Sequence, residues 1–332
     1  MTLWQKVQDG FAAKNIVVLG DAVADQFLEG TIARVSREAP VFILRHDETA
    51  TLPGAAANAA ANITALGGHT TLVGLCGNDA NGERLRACLE QRNVDIGGLI
   101  AAGGICTTTK VRVLAGHQYG ARQQVIRIDY EDTPELSAAV RDELVSAFRT
   151  AASKADAIVV SDYGYGAVFP GIFDEAKRVA SDRMIPLVVD SRHRLTEFAG
   201  ATSATPNREE VEQILGEDFT ADACAKLRKR LGLEALLVTN GNQGMTLFDA
   251  DQPFAIKAIG STEPVDVTGA GDTVIATYSL GLASGLTFRE AAEVANHAGG
   301  LVVMKKRTAT VALDELLDSL KIDDRAPRAQ TK

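Results

Sequence analysis

The sequence predicts an α/β protein: a mostly parallel central sheet with helices on both faces, and a small antiparallel β lid. Three observations predict it. Short apolar runs such as Ile16 to Leu19 and Ala157 to Val160 end in polar residues and alternate with helix-like segments. Two stretches, Phe27 to His46 and Thr107 to Asp129, break that rhythm with β-branched residues in apolar–polar alternation. The composition, 46% hydrophobic and 23% charged over 332 residues, is that of a chain able to bury a large core.

The elements follow in order. Ile16 to Leu19 reads as a buried strand stopping at Gly20-Asp21. Ala56 to Leu66 reads as an Ala-rich helix closed by Gly67-Gly68. Thr70 to Cys76 is a strand and Ala80 to Gln91 an amphipathic helix. Pro134 to Ala152 is helical, and Ala157 to Val160 is a strand ending in Ser161-Asp162. Pro170 to Ser181 forms the next helix, with strands at Leu187 to Val189 and Leu236 to Val238. Two helices after Gly269, split near Gly285, and a last one from Leu313 to Leu320 complete the pattern. The polar tail from Asp323 to Lys332 is expected to fray.

Charge narrows the function. Lys plus Arg number 34 against 43 Asp plus Glu, so the net charge of −9 opposes nucleic-acid binding. An anionic ligand must then be met by local donors. The longest stretch free of Asp, Glu, Lys and Arg, from Thr49 to Asn78, carries Asn58, Asn62 and His69 and is too polar for a membrane span. Met1 to Lys14 lacks the apolar run of an export signal, and the four scattered cysteines suit reduced thiols; a cytoplasmic protein is expected. The five histidines lack metal-ligand spacing. Gly77 to Gly82 is followed by Glu83, where a phosphate loop needs Lys, so it is expected to be a turn.

Candidate site residues punctuate the strands. Asp21, Asp162, Asp190 and Thr239 each follow an apolar run, and in open α/β sheets ligands bind at the carboxyl ends of strands. Each Asp could also simply cap a helix. The sharpest motif is Asp266-Val267-Thr268-Gly269-Ala270-Gly271-Asp272, opening the apolar helix Val274 to Leu282. Gly269, Ala270 and Gly271 at a helix start present backbone N–H groups to an anion. Asp272 beside them makes sense as a base that takes a proton from an attacking hydroxyl, since phosphoryl transfer relies mainly on positioning and charge stabilisation.

This motif resembles the C-terminal signature of the ribokinase-like (PfkB) carbohydrate kinases, and Pro53-Gly54-Ala55-Ala56-Ala57-Asn58 resembles their N-terminal one. The resemblance runs from about Asn15 to Leu320 and implies one ribokinase-like kinase domain over 15–320, with a lid formed by 27–46 and 107–129. It implies Asp272 as base and Gly269, Ala270 and Gly271 as anion hole. It places Asp25, Gly54 and Asn58 on sugar hydroxyls, and Asn207 and Glu210, in Asn207-x-x-Glu210, near Mg²⁺ and phosphates, mostly through water. Thr239, Gly241, Gly244 and Asn296 fall on the nucleotide side. ATP and Mg²⁺ are the implied cofactors, with room for a monovalent cation, and a homodimer through the lid is implied as well.

Within the family, Arg34-Val35-Ser36-Arg37-Glu38-Ala39-Pro40-Val41 resembles the heptose-7-phosphate kinases of lipopolysaccharide-core sugar synthesis. The segments Thr109 to Leu114, Arg122 to Asp129 and Ser161 to Gly164 resemble their lid strands and post-strand loop. Those kinases are often fused to a nucleotidyltransferase domain, for which these 332 residues leave no expected room. Lys110, Arg112, Arg122 and Arg127 crowd the lid of an acidic chain, as a sugar phosphate requires, though solvated strand residues would look the same. With Asp162 they complete the expected substrate contacts. Departures fall on the rims: Ala55 for a second Gly, Tyr165 for Lys, Ser191-Arg192-His193 for Pro-Lys-Gly, and Arg307 for Gly, with His117 to Ala121 as a lid insertion. The expected function is phosphoryl transfer from Mg-ATP to the anomeric hydroxyl of a heptose 7-phosphate. Another sugar acceptor and a non-catalytic sensor are the alternatives.

Overall fold

The computed structural model describes residues 1–117, 122–133, 135–260 and 263–325. Helix α1 (Leu3–Gly10) leads into strand β1 (Asn15–Gly20), then the long hairpin β2 (Ala22–Val35) and β3 (Phe42–Ala55). Helix α2 (Ala56–Ala65), strand β4 (His69–Gly77), helix α3 (Ala80–Glu90) and strand β5 (Asp95–Ala102) follow. Strands β6 (Thr109–Gly116) and β7 (Gln123–Tyr130) precede α4 (Ala138–Ala152), β8 (Ala157–Asp162), α5 (Pro170–Arg183) and β9 (Leu187–Ser191). Next come β10 (Ser203–Ala204), α6 (Arg208–Leu215), α7 (Ala221–Arg230), β11 (Ala235–Thr239), β12 (Met245–Phe248) and β13 (Phe254–Ile256). Helices α8 (Ala270–Ala283), α9 (Phe288–Val302) and α10 (Leu313–Arg325) close the described chain.

The main sheet runs β13-β12-β11-β10-β9-β8-β1-β4-β5. Its pairings from β11 to β5 are parallel, and β12 and β13 add an antiparallel edge. Strand β1 is buried on both sides: Ile16 and Val18 pack with α2, α8 and α9, while Val17 and Leu19 pack with α4 and α5. That is why its sequence is a continuous apolar run. Strand order reverses at β1, whose neighbours are β4 on one side and β8 on the other. The crevice outside the carboxyl ends of β1 and β8 is therefore the ligand site this topology offers.

The lid sheet runs β3-β2-β6-β7. The two outer pairings are antiparallel, whereas β2 and β6, separated by the first half of the main sheet, pair in parallel. Its strands extend past the expected ends, because β2 and β3 continue straight out of β1 and into α2. Register places Asp25, Phe27 and Glu29 of β2 on the same face as Lys110 and Arg112 of β6 and Arg127 and Asp129 of β7. The opposite face carries Leu28, Val111, Val113, Ile126, Ile128 and Tyr130; Ile126, Ile128 and Tyr130 are exposed. The lid thus turns its charges inward, the reverse of an ordinary surface sheet.

Other expectations shift at the edges. Helix α4 starts at Ala138, not Pro134, because the Ser137 hydroxyl accepts the Val140 N–H and caps it there. Pro134 and residues 118–121 of the expected lid insertion lie outside the described residues. Residues 323–325, expected in the frayed tail, belong to α10, and 326–332 lie outside the description. Asp79 accepts the Asn81 and Gly82 N–H groups and caps α3, so the turn expected over Gly77 to Gly82 is the short junction Asn78-Asp79 between β4 and α3. All four cysteines are free thiols. Among the described residues no helix is long and apolar enough to cross a membrane.

Candidate active site

The floor of the crevice is built where α8 begins. Gly269 caps the helix at φ 78°, in the left-handed region, and a Cβ there would collide with the Asn58 amide. Only glycine meets both conditions. Ala270 does not serve the anion hole as expected: its N–H is already bound to Val267 O at 3.2 Å. The open backbone donors of the first turn are those of Gly271 and Asp272.

Asp272 is 4% exposed and lies between two donors. Asn58 Nδ2 donates to its Oδ2 at 2.8 Å, and the Tyr163 hydroxyl donates to its Oδ1 at 2.8 Å. Burial pushes its pKa up to about 7; those two hydrogen bonds oppose the rise and the nearby Asp25 charge adds to it. Asn58 is held in turn by Asn62, whose Nδ2 reaches Asn58 O at 3.0 Å and Oδ1 at 3.2 Å. Asn62 Oδ1 accepts from Thr273 Oγ1 at 3.2 Å and from Val311 N at 3.4 Å. A fully bonded buried network therefore fixes the carboxylate against α2 and α8. Tyr163 and Asn62 were not singled out from the sequence as site residues.

Two expected residues serve the scaffold. Asp21 takes the N–H groups of Tyr163, Tyr165 and Ala167 at 2.8, 3.1 and 3.0 Å, so it shapes the loop that delivers the Tyr163 hydroxyl. Asp162, expected on the substrate, has protein partners: Arg194 pairs with it, and Ser191 Oγ donates to it at 2.7 Å. An apolar strand end can present an Asp to either side of a sheet, and here the half-buried Arg194 claims it.

The residues expected on the nucleotide side, Thr239, Gly241, Gly244 and Asn296, line one mostly apolar slot of about 180 Å³ together with Ala270 and Gly271. Asn296 contributes its flank, because its Nδ2 is spent on Lys257 O at 2.8 Å. Asn207 and Glu210 form a capping box on α6: Asn207 N donates to Glu210 Oε2 and Glu210 N to Asn207 Oδ1, both at 2.9 Å. Asn207 also bridges to Thr239, beside the slot. Burial raises the pKa of Glu210 and pushes that of Asp190 well above the carboxylate range, with Glu210 and Asp272 raising Asp190 further. Arg192, exposed at the rim, is the cation whose charge reaches Asp272, Asp190, Glu210 and Tyr163 together.

Among the residues expected at the acceptor, Asp25 is buried and Arg112 Nη2 lies 3.5 Å from it. A Cβ on Gly54 would stand 2.7 Å from Asp25 Oδ2, so the backbone approaches the carboxylate as closely as glycine allows. The lid cations are neutralised one by one. Lys110 pairs with Glu131 at 3.1 Å, Arg127 with Asp129 at 2.8 Å, and Arg122 with Glu29 and with Asp47 at 2.8 Å.

The family profile described as "pfkB family carbohydrate kinase" matches residues 13–315. The chain belongs to the pfkB family of carbohydrate kinases. Two relatives named "Bifunctional protein HldE" are similar to it. The Caulobacter vibrioides protein is 37% identical over 313 residues, covering 92% of this chain and 63% of its own length. The Citrifermentans bemidjiense protein is 38% identical over 307 residues, covering 91% and 62%. The chain therefore spans a little under two thirds of those relatives. The fold resembles that of Arabidopsis thaliana ribokinase complexed with ribose and ATP (TM-score 0.70, 22% identity, 93% of this chain and 99% of that one). It also resembles Escherichia coli phosphofructokinase-2 in complex with potassium (TM-score 0.75, 18% identity, 94% and 100%).

Against the pfkB signatures, the departures have visible geometry. Ala55 sits at φ 53°, ψ −130°, a region that is nearly glycine's alone. Arg307 sits at φ 64°, and its guanidinium leaves the nucleotide-side loop to pair with Glu29 of the lid. The run Arg34 to Val41 is the tip of the β2–β3 hairpin, on the order of 30 Å along the strand from Asp25. It belongs to the far end of the lid.

Proposed function

We propose that this pfkB kinase transfers a phosphoryl group from Mg-ATP to the anomeric hydroxyl of D-glycero-D-manno-heptose 7-phosphate, giving the 1,7-bisphosphate. The observation that carries the reading is Asp272 itself: a buried carboxylate at the start of α8, between the nucleotide slot and the charged face of the lid. In this reading 15–320 works as one kinase unit, and 27–46 with 107–129 is its lid.

The acceptor oxygen bonds to the γ-phosphorus as the bond to the β–γ bridging oxygen breaks, and ADP leaves with that electron pair. Asp272 takes the hydroxyl proton late in this step. Tyr163 and Asn58 hold its two oxygens so that one remains aimed at the acceptor. The N–H groups of Gly271 and Asp272 stabilise charge on the transferred group. Arg192 supplies the cation at the phosphate end. Asp25, Gly54 and Asn58 hold sugar hydroxyls, and Lys110, Arg112, Arg122 and Arg127 give the lid its affinity for a phosphorylated sugar. Thr239, Gly241, Gly244 and Asn296 border the nucleoside.

The acids around the slot fit a magnesium ion held through water. Glu210 and Asp272 crowd Asp190, and among the described residues no three acids, histidines or cysteines form a direct cage. Asn207 and Glu210 would hold it, and the ion would neutralise phosphate charge. A monovalent cation belongs to the same reading. The apolar outer face of the lid, with Ile126, Ile128 and Tyr130 exposed, supports a homodimer through the lid, and a cytoplasmic setting belongs to the same reading.

One observation favours a second acceptor: Ala55, beside Gly54, holds a left-handed backbone where the family signature has glycine. The test is ADP release with Mg-ATP across neutral hexoses, hexose phosphates and heptose 7-phosphate, with Asp272→Asn as control. Turnover confined to heptose 7-phosphate is expected. Turnover on another sugar keeps the mechanism and discards this acceptor, and ATP binding without turnover on any sugar points to a sensor.

A further inference from the structure

Arg307 is placed against the grain of its backbone. It is a long side chain at φ 64°, in a loop between α9 and α10. Two anchors account for its position. Its N–H donates to Asp266 Oδ2 at 2.9 Å, and Asp266 Oδ1 accepts the Thr268 N–H at 2.9 Å. The backbone of Arg307 is thereby tied to the turn that ends at Gly269 and sets the anion hole. Its guanidinium points the other way. It pairs with Glu29 of β2, lies 3.7 Å from Glu48 of β3, and stands over the Phe27 ring at 5.6 Å from the centroid. Phe27 is 2% exposed, and on the same ring stands Arg112, 6.0 Å from the centroid, which also pairs with Asp25.

A chain of contacts therefore runs from the phosphate-binding turn, through Asp266 and Arg307, to the lid strand that carries Asp25. We infer that Arg307 is a positioning residue for the kinase reaction: a clasp that holds the charged face of the lid over Asp272 and keeps water from the phosphoryl group. The inference rests on the proposed kinase site but not on the identity of the sugar. Glu29 is its counterpart. That carboxylate also takes Arg122 and sits on the inward lid face, so it is screened from solvent and the pair is stronger than an open surface ion pair. Phe27 adds an apolar and cation–π surface to the same contact.

The experiment compares the native chain with Arg307→Gly, Arg307→Lys and Glu29→Gln, alone and as the double variant Arg307→Gly/Glu29→Gln. Glycine suits the backbone at this position, so Arg307→Gly is expected to fold with an unchanged or higher melting temperature. Its KM for the acceptor should rise about fivefold or more. ATP hydrolysis without any acceptor should rise severalfold, because an unclasped lid admits water to the transferred group. Arg307→Lys should restore part of both effects. The double variant should be no worse than the worse single one, which marks the two residues as one device. Acceptor-free hydrolysis and KM values within twofold of native in Arg307→Gly would overturn the inference, as would additive effects in the double variant. If no sugar in the panel turns over, acceptor-free hydrolysis still reads the clasp, so failure of the acceptor assignment and failure of the clasp are told apart.

Discussion

The floor and the lid of this site handle charge in opposite ways. On the floor, Asp272, Asp190 and Glu210 stand close together with one rim cation, Arg192, within electrostatic reach of all three. In the lid, Lys110, Arg112, Arg122 and Arg127 each have a carboxylate partner, and Arg307 reaches in from the loop after α9 to pair with Glu29. Burial penalises the charged form of a carboxylate and strengthens its hold on a proton, so the floor is poised to accept positive charge or to hold a proton. The lid is already neutral pairwise, so an anionic ligand there must exchange partners with Asp25, Glu29 or Asp129. The difference fits the proposed division of labour, with the chemical step on the floor and selection and closure in the lid.

The largest effect tests the floor. Asp272→Asn keeps the size and both neighbours but removes the base, and kcat should fall roughly 10²–10⁴-fold. ATP affinity, measured by calorimetry, should remain near native. Near-normal turnover would remove Asp272 from its assigned role. A smaller loss is expected at the rim. Arg192→Ala should lower kcat roughly 10- to 100-fold, in keeping with the removal of one donor to developing charge. Stopped-flow measurement of the chemical step checks it. An effect confined to the KM of ATP would make Arg192 a ground-state binder.

The pH dependence sharpens the contrast further. In its proposed role as base Asp272 must be ionised, so kcat/KM of the native enzyme should fall as pH drops through about 7, the value to which burial raises it. The Tyr163 hydroxyl donates to the charged form at 2.8 Å and favours it. In Tyr163→Phe that donor is gone, the proton is held more tightly, and the acid limb should move to higher pH by roughly half a unit or more. A profile that stays put would mean Asn58 alone sets the carboxylate. Stability carries the opposite sign. Folded Asp272 binds a proton more tightly than the unfolded chain does, so its contribution favours folding below the unfolded value of 3.8. That contribution is lost as pH rises towards about 7.

Much of the floor was legible because its chemistry is contiguous: Gly269 to Asp272 form one turn, and Pro53 to Asn58 form one strand–helix junction. The alternation of apolar runs and helices gave the central sheet for the same reason. What escaped depends on distant partners. Tyr163 meets Asp272 across 109 positions and Asn62 meets Thr273 across 211, and no local spacing announces either. Asp21, Asp162 and Asp190 share one sequence context, yet one organises a loop, one neutralises Arg194 and one faces the site. Asn207-x-x-Glu210 has two readings, helix cap and phosphate side, and the fold uses the first while leaving the second open. In the lid, the strands were visible, but their inverted polarity emerged only when register fixed which residues share a face.

The smallest effect separates strain from function at the two non-glycine positions of the rims. Ala55 and Arg307 both lie at positive φ, at 53° and 64°. Arg307 has contacts that account for its retention, whereas the Ala55 side chain is a bare methyl beside Gly54. Strain of this kind costs roughly 1–3 kcal/mol, and glycine's own flexibility returns about 0.5–1 of that to the unfolded chain. Ala55→Gly should therefore raise the urea-unfolding free energy by about 1 kcal/mol with an unchanged m value. If the same change also improves turnover on sugars larger at the anomeric end, the methyl is a selectivity element as well as a strained one. A loss of stability would mean that packing of the buried methyl, 6% exposed, outweighs its backbone cost.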